Sequence, residues 1–351
     1  MSRYQHITTE TVLVATTVGV LTALSLYWYQ KKRKHVIPTV WEPVGKVKSL
    51  FIYPLKSGHR IELNTAICTD YGIKMPKSGP SYQFCDRNLL IYKEENNEFR
   101  TARQYPKILF IKTAPDSIQK DCFTLNAPEM SELKVKIPTL KDANESEITL
   151  HKGEKIFTID CGDEAAKWIS QYILDTDSGL RLGFHDGEPH HRRNVTVSHK
   201  KYLETYSRFR NEATGMYTDF TSFLIINEAS IDDLNERIPD ANITPLQFRP
   251  NILVENAPAY VEDDWNWVKI GNNVVMYLSK PCTRCIFTNI DPETATKSEI
   301  DEPLRTLRKY RLLKDIKNNK LEGHLPVMGI HTGLQNGGEI SVGDIVYVGK
   351  K

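Results

Sequence analysis

Cysteine is scarce in this chain. Six thiols in 351 residues (Cys68, Cys85, Cys122, Cys161, Cys282 and Cys285) are too few for a disulfide scaffold. Only Cys282 and Cys285 stand close together, and no second Cys-x-x-Cys exists to complete a structural zinc site. A surplus of positive charge is also missing. Lys plus Arg number 46 against 44 for Asp plus Glu, which argues against a bulk nucleic-acid binder, whose backbone contacts need a basic excess. There is no glycine-rich phosphate loop, no dinucleotide fingerprint and no internal repeat. What remains is ample core material. Hydrophobic residues make up 40% of a chain long enough for one large or two ordinary domains.

Charge is absent from Thr11 to Tyr29. As a helix these nineteen residues would span roughly 28 Å, close to a bilayer core. Tyr27, Trp28 and Tyr29 cluster at one end, as an interfacial belt does, and Lys31-Lys32-Arg33-Lys34-His35 follows. A cleaved secretory leader would carry its basic residues first and a small-residue cleavage site after. The order here predicts a signal anchor over residues 1–35, with a transmembrane helix at about 11–29. The positive-inside rule places the rest of the chain in the cytosol.

Residues 36–44, with two prolines, read as a linker. Beyond them the pattern is short and β-rich. Val47–Tyr53, Leu89–Tyr92, Ile108–Ile111 and Ile148–His151 are predicted strands, separated by polar, Gly, Pro or Asn turns, which suits a barrel or sandwich. A helix is predicted after Asp160-Cys161-Gly162, with Ala165, Trp168, Ile169, Tyr172 and Ile173 on one face. A second is predicted from Ser230 as cap, and a third from Pro303. Ile340–Val348 reads as a turn flanked by strand material. His185–Thr214 is polar and basic, which fits a surface loop or an electrostatic docking patch. Its four histidines lack zinc spacing.

The chemistry concentrates near Pro281-Cys282-Thr283-Arg284-Cys285. The pair has four readings: half a zinc site, a redox pair, two buried thiols, or one thiolate holding a soft metal while Arg284 holds an anion. The β-prone run Ile286-Phe287-Thr288 disfavours a thioredoxin-like arrangement, which places a helix after the pair. Other segments look like anion sites. Tyr53-Pro54-Leu55-Lys56-Ser57-Gly58 offers a lysine, a hydroxyl and turn amides. Asp86-Arg87 precedes a strand. In Phe248-Arg249-Pro250-Asn251 the proline predicts an extended arginine, with Arg249 and Asn251 on one side. Taken singly, each reads as a turn or an ion pair.

Taken in order, these segments resemble the MOSC family, and within it the mitochondrial amidoxime-reducing group of membrane-anchored molybdenum enzymes. Thr101-Ala102-Arg103-Gln104 and Val342-Gly343-Asp344-Ile345-Val346-Tyr347 complete the set, which covers about residues 45–350. The resemblance implies a β-rich α+β fold: an N-terminal MOSC-type β-barrel at 45–175, then a MOSC domain, itself a barrel with helices, at 176–351. It implies a molybdenum cofactor whose metal is held by Cys285, also the catalytic residue, with Cys282 a bystander. Lys56, Ser57, Arg87, Asp219, Thr221, Arg249, Asn251 and Arg284 are implied around the pterin and its phosphate. Within Tyr217–Phe223, Phe220 and Ser222 depart from the family pattern. The implied activity is reduction of N-hydroxylated compounds such as amidoximes, with electrons from NADH through cytochrome b5 reductase and cytochrome b5. Sulfur transfer and cofactor carriage are the alternatives. The family's address is the outer mitochondrial membrane, with the catalytic part facing the cytosol.

Overall fold

The computed structural model describes residues 36–77, 81–141, 143–239 and 242–350. The anchor predicted for residues 1–35 lies outside them. Among the described residues, no helix is long and apolar enough to cross a membrane.

Seven strands close into a barrel: Trp41–Ile52, Phe223–Asn227, Ile252–Glu255, Trp267–Ile270, Val274–Thr283, Val327–Asn336 and Ile345–Gly349. Closure depends on the first of them. Its early half pairs antiparallel with the last strand, Lys46 opposite Ile345. Its later half pairs with Ile252–Glu255, Leu50 opposite Ile252. The strand starts at Trp41, inside the stretch predicted to be linker. Pro43 is tolerated because the register shifts between it and Gly45, at a bulge where a ladder hydrogen bond is not required. Gly45 is fixed by proximity, since a Cβ there would lie 2.4 Å from the Glu255 carbonyl oxygen.

A second, smaller barrel comes from the five strands Glu145–Thr149, Lys155–Asp160, Leu180–Phe184, Leu89–Lys93 and Phe99–Arg100. Its two edges meet at a bridge between Glu98 and Thr149. One buried cluster joins the barrels, with Leu50, Ile52, Leu55 and Leu89 beside Phe123, Trp168, Phe223 and Val268, and a separate one within the smaller barrel gathers Leu90, Tyr92, Phe99 and Ile148. Helix Asp163–Leu174 buries the stripe read from its sequence, and the Trp168 indole donates to the Ser131 carbonyl at 2.8 Å. A separate cluster under helices Glu228–Glu236 and Leu304–Tyr310 gathers Phe51, Tyr53, Leu224, Phe248, Leu307 and Cys282.

Two expected elements differ. Ile108–Ile111 is not a strand. Pro106–Phe110 is a 3-10 turn with Pro106 at its start, and Ile108, Leu109 and Ile111 are buried. An apolar run of this length fits either conformation, and the proline decides it. Ser230 is not a cap. Helix Glu228–Glu236 begins after Asn227, and Ser230 sits inside it. Its hydroxyl donates to Glu262 Oε1 at 2.8 Å and accepts the Tyr260 amide at 2.8 Å.

Glu262 is fully buried, and its second oxygen has no partner. Burial pushes its pKa up to about 7. The unfolded carboxyl loses its proton first, near the ordinary value, so stability is full at low pH and falls as pH rises through about 7. This group is expected to remove about 3 kcal/mol between pH 4.5 and 8. Urea unfolding of wild type and Glu262→Gln at both pH values checks it. An equal pH slope in the two proteins would refute the assignment.

Candidate active site

One end of the large barrel holds the site. Thr283 lies opposite Val327, Leu50 opposite Ile252 and Phe223 opposite Thr332, so the segments flanking these strands converge there. They surround a cavity of about 400 Å³. Lys56, Ser57, Arg87, Asp219, Thr221, Arg249, Asn251, Arg284 and Cys285 all line it. A more open cavity of about 560 Å³ lies on the smaller barrel, beside Tyr92, Asp160 and Arg181. There Arg181 is already paired with Asp160, so the smaller cavity is the one with chemistry to spare.

Each segment is held by backbone contacts made in the fold. Lys56 follows the first barrel strand, and its amide donates to the Leu89 carbonyl at 2.8 Å. Arg87 donates its amide to the Tyr53 carbonyl at 2.8 Å, while Asp86 Oδ1 accepts the Tyr53 amide at 2.9 Å. Arg284 donates its amide to the Pro326 carbonyl at 2.8 Å. Arg249 is not extended, as the following proline predicted. It is left-handed, with φ at 53°, closing the 3-10 turn Pro245–Phe248. Ser57 and Arg87 are left-handed as well, at 68° and 49°. Such backbone costs about 1–3 kcal/mol per residue and persists where the surroundings enforce it.

Four of the cations lining the cavity are those expected from the sequence. Lys56 donates to the Tyr217 carbonyl at 2.8 Å and pairs with Asp219. Arg87 pairs with buried Asp86. Arg284 spends its guanidinium on the carbonyls of Met328 and Phe248, the latter at 2.9 Å. Arg249 stacks over the Tyr53 ring at 4.0 Å and donates to the Gly58 carbonyl at 2.9 Å. Its other terminal nitrogen, Nη2, is buried without a partner, and so is the Tyr53 hydroxyl. Burial, reinforced by Arg87, lowers the Arg249 pKa to about 9, and burial raises that of Tyr53 to about 12. Burial also lowers the pKa of Lys56 and Arg284. The Asp219 side chain is more than half exposed. Desolvation opposes its charge, but Lys56 and His151 hold its pKa below the carboxylate range. Asn251 is committed to the barrel. Its Oδ1 accepts the Leu224 amide at 3.1 Å, and its Nδ2 donates to the Phe51 carbonyl at 3.3 Å.

The two cysteines differ in surroundings. Cys282 also borders the cavity, but it is packed in the apolar cluster with Phe51 and Met328, 3% exposed, and burial raises its pKa. Cys285 is half-buried at the cavity wall. The run after it is a 3-10 turn, Ile286–Asn289, rather than strand. The Thr288 amide and hydroxyl both donate to the Cys285 carbonyl, at 3.1 and 3.0 Å, and Asp291 caps the following turn by accepting the amides of Glu293 and Thr294. Local hydrogen bonds outweigh β propensity in this stretch.

Sequence reading missed several residues in the wall and behind it. His331 on strand Val327–Asn336 exchanges a 3.0 Å hydrogen bond with the Thr221 hydroxyl, and burial drives its pKa well down, so it is neutral. Lys280 is fully buried and pairs with Glu322 at 3.1 Å, and Glu322 also accepts the Thr283 hydroxyl at 2.7 Å. The lone signal in sequence was a polar residue inside an apolar β-run.

A closed barrel with a thiol and clustered cations at one end places the chain in a known class. Residues 44–176 match the MOSC N-terminal beta barrel domain, and residues 212–347 match the MOSC domain. The mouse protein "Mitochondrial amidoxime-reducing component 1" is 35% identical over 307 residues, covering 88% of this chain and 83% of the relative. Its human counterpart is 33% identical, covering 92% and 86%. The bovine "Mitochondrial amidoxime reducing component 2" is 33% identical, covering 87% and 84%. The chain belongs to the MOSC family, among the mitochondrial amidoxime-reducing components.

Proposed function

We propose that this protein is a molybdenum-cofactor-dependent reductase that cleaves the N–O bond of N-hydroxylated compounds such as amidoximes. The observation that carries the reading is the buried, unpartnered Nη2 of Arg249. A buried cation kept short of an acceptor is costly unless an anion joins it. The donor set fits the group: one half-buried thiol for a soft metal, and cations with a free N–H for a phosphate.

Cys285 would hold the metal. Arg249, Arg87, Lys56 and Ser57 would hold the phosphate and pterin. Arg284 is fixed by two carbonyls and adds charge without moving. Thr221 and Asp219 face the same space, and Asn251 fixes the wall behind them. When bound, the cofactor supplies the two-electron redox chemistry. Overall an amidoxime takes two electrons and two protons and gives an amidine and water. Asp219 is held ionised by Lys56 and His151, so it adds a fixed negative charge at the cavity mouth.

Electrons would come from NADH through cytochrome b5 reductase and cytochrome b5. A docking patch was expected in the basic 190–211 stretch. Arg193 is buried against Glu154 and the Thr218 carbonyl, and Arg192 and Arg208 donate to backbone carbonyls. Lys200, Lys201 and Arg210 remain exposed, and they are where an acidic donor would dock. Our reading places the chain in the outer mitochondrial membrane, facing the cytosol, through the 1–35 anchor. Carbonate extraction that released the full chain would refute this placement.

The test of function is metal analysis of the purified full chain with a benzamidoxime assay on reconstituted cytochrome b5. About one molybdenum per chain with turnover is expected. Molybdenum without turnover would favour a carrier, and a persulfide on Cys285 without metal would favour sulfur transfer.

A further inference from the structure

Lys152 has no role in the site described so far. It lies in the 3-10 turn His151–Gly153, which joins strands Glu145–Thr149 and Lys155–Asp160 of the smaller barrel. Its φ is 60°, in the left-handed region. That backbone places the side chain on the wall of the same cavity that Cys285 lines. The ammonium lies 3.5 Å from the centre of the Tyr202 ring and 5.5 Å from that of Phe220.

The two rings are 5.3 Å apart, and a second ammonium packs on them. Lys280 approaches Phe220 to 4.4 Å and Tyr202 to 5.9 Å. Charge is then out of balance. Glu322 answers Lys280, and its other oxygen is taken by Thr283. Asp219 answers Lys56, and Asp86 answers Arg87. Among the described residues, no carboxylate pairs with Lys152. Glu322, already shared with Lys280, raises the pKa of Lys152, but desolvation outweighs it and lowers the value to about 8, so the exposed lysine is mostly charged at neutral pH and only partly compensated. Phe220, one of the two residues that depart from the family pattern, now has a place: two ammonium groups pack on its ring.

We propose that Lys152, with Tyr202 and Phe220, forms an anion subsite that selects substrates carrying a carboxylate on an aromatic or planar body. The subsite rests on the reductase reading only for the nature of the reacting group. The rings hold the ammonium at the cavity wall, the ammonium takes the carboxylate, and the planar body spans the cavity with its opposite end toward the Cys285 wall. Attraction by the ring quadrupole holds the ammonium in place before the ligand arrives.

The experiment compares pairs of probes on the holoenzyme. Turnover is measured with benzamidoxime and 4-carboxybenzamidoxime, and binding by calorimetry with their products, benzamidine and 4-carboxybenzamidine. Wild type should favour the carboxylated member of each pair by about tenfold, the scale of one charge-assisted hydrogen bond. Lys152→Met should bring both ratios close to one, and Lys152→Glu should invert them. Equal affinities in wild type, or ratios unchanged in Lys152→Met, would overturn the subsite. If neither amidoxime is reduced but the binding ratios behave as stated, the reductase reading fails and the subsite stands.

Discussion

Cys285→Ala is expected to fold, to retain no molybdenum and to reduce amidoximes no faster than the cofactor-free control. The two thiols of the motif differ by environment, so the paired substitution is informative. Cys282 sits among Phe51, Leu224 and Met328 and is 3% exposed, where a thiolate would be desolvated. Cys282→Ala should cost about 1 kcal/mol of stability through a small cavity and keep its metal. Cys285 stands half-buried on the cavity wall, with its carbonyl bound by Thr288, so its side chain is presented rather than packed. Elemental analysis and turnover of both variants decide the matter. Metal retained in Cys285→Ala and lost in Cys282→Ala would reverse the assignment.

Arg249→Met should act in opposite directions on the two forms of the protein. Without cofactor, Arg249 makes one hydrogen bond, to Gly58, and leaves Nη2 unanswered. Its pKa falls to about 9, so the charge opposes folding at every pH below that. An apolar side chain of similar length removes the desolvation penalty. We expect the cofactor-free variant to be more stable by on the order of 1 kcal/mol or more. The same substitution removes the free donor, and the variant should lose most of its molybdenum. Urea unfolding of metal-free protein and metal content of the purified variant report the two halves. A variant that is less stable without cofactor yet fully loaded would show that Arg249 serves the fold.

Much of this arrangement was legible in the sequence, for uneven reasons. Helix Asp163–Leu174 announced itself because one face is apolar and its start is marked by Gly162 with Asp163 and Glu164 in the first turn; its end, at a left-handed Asp175, is supplied by the structure. Ile108–Ile111 did not, because four apolar residues fit strand and turn alike. Ser230 looked like a cap because its type suits one. Its true partner, Glu262, is distant in sequence, and only tertiary structure supplies it. The nine residues now lining one cavity were found through the order of their segments, not through periodicity. Nothing in the Arg249 stretch predicts a left-handed arginine. His331, Lys280, Glu322 and Lys152 were invisible, since a polar residue in a β-run or a lysine in a turn carries no mark of its neighbours. Burial and pairing are properties of the assembled barrel.

The position of Trp41–Ile52 in that barrel has a consequence for how the chain comes into being. This strand is made before the other six, and it is the one that closes the ring. Lys46 must wait for Ile345, and Leu50 for Ile252. Pairings this distant in sequence are slow to form, because loop-closure entropy must be met before any contact repays it. Meanwhile the unpaired strand and the growing sheet both expose open edges, which template aggregation. The site depends on the same late event. Lys56 and Arg87 are brought in by the early strand and its neighbours, while Arg249 and Cys285 come from the later ones. Until the first strand locks beside Ile252–Glu255, the Lys56 and Arg249 sides of the cavity are apart, and a chain cut short before residue 252 never joins them.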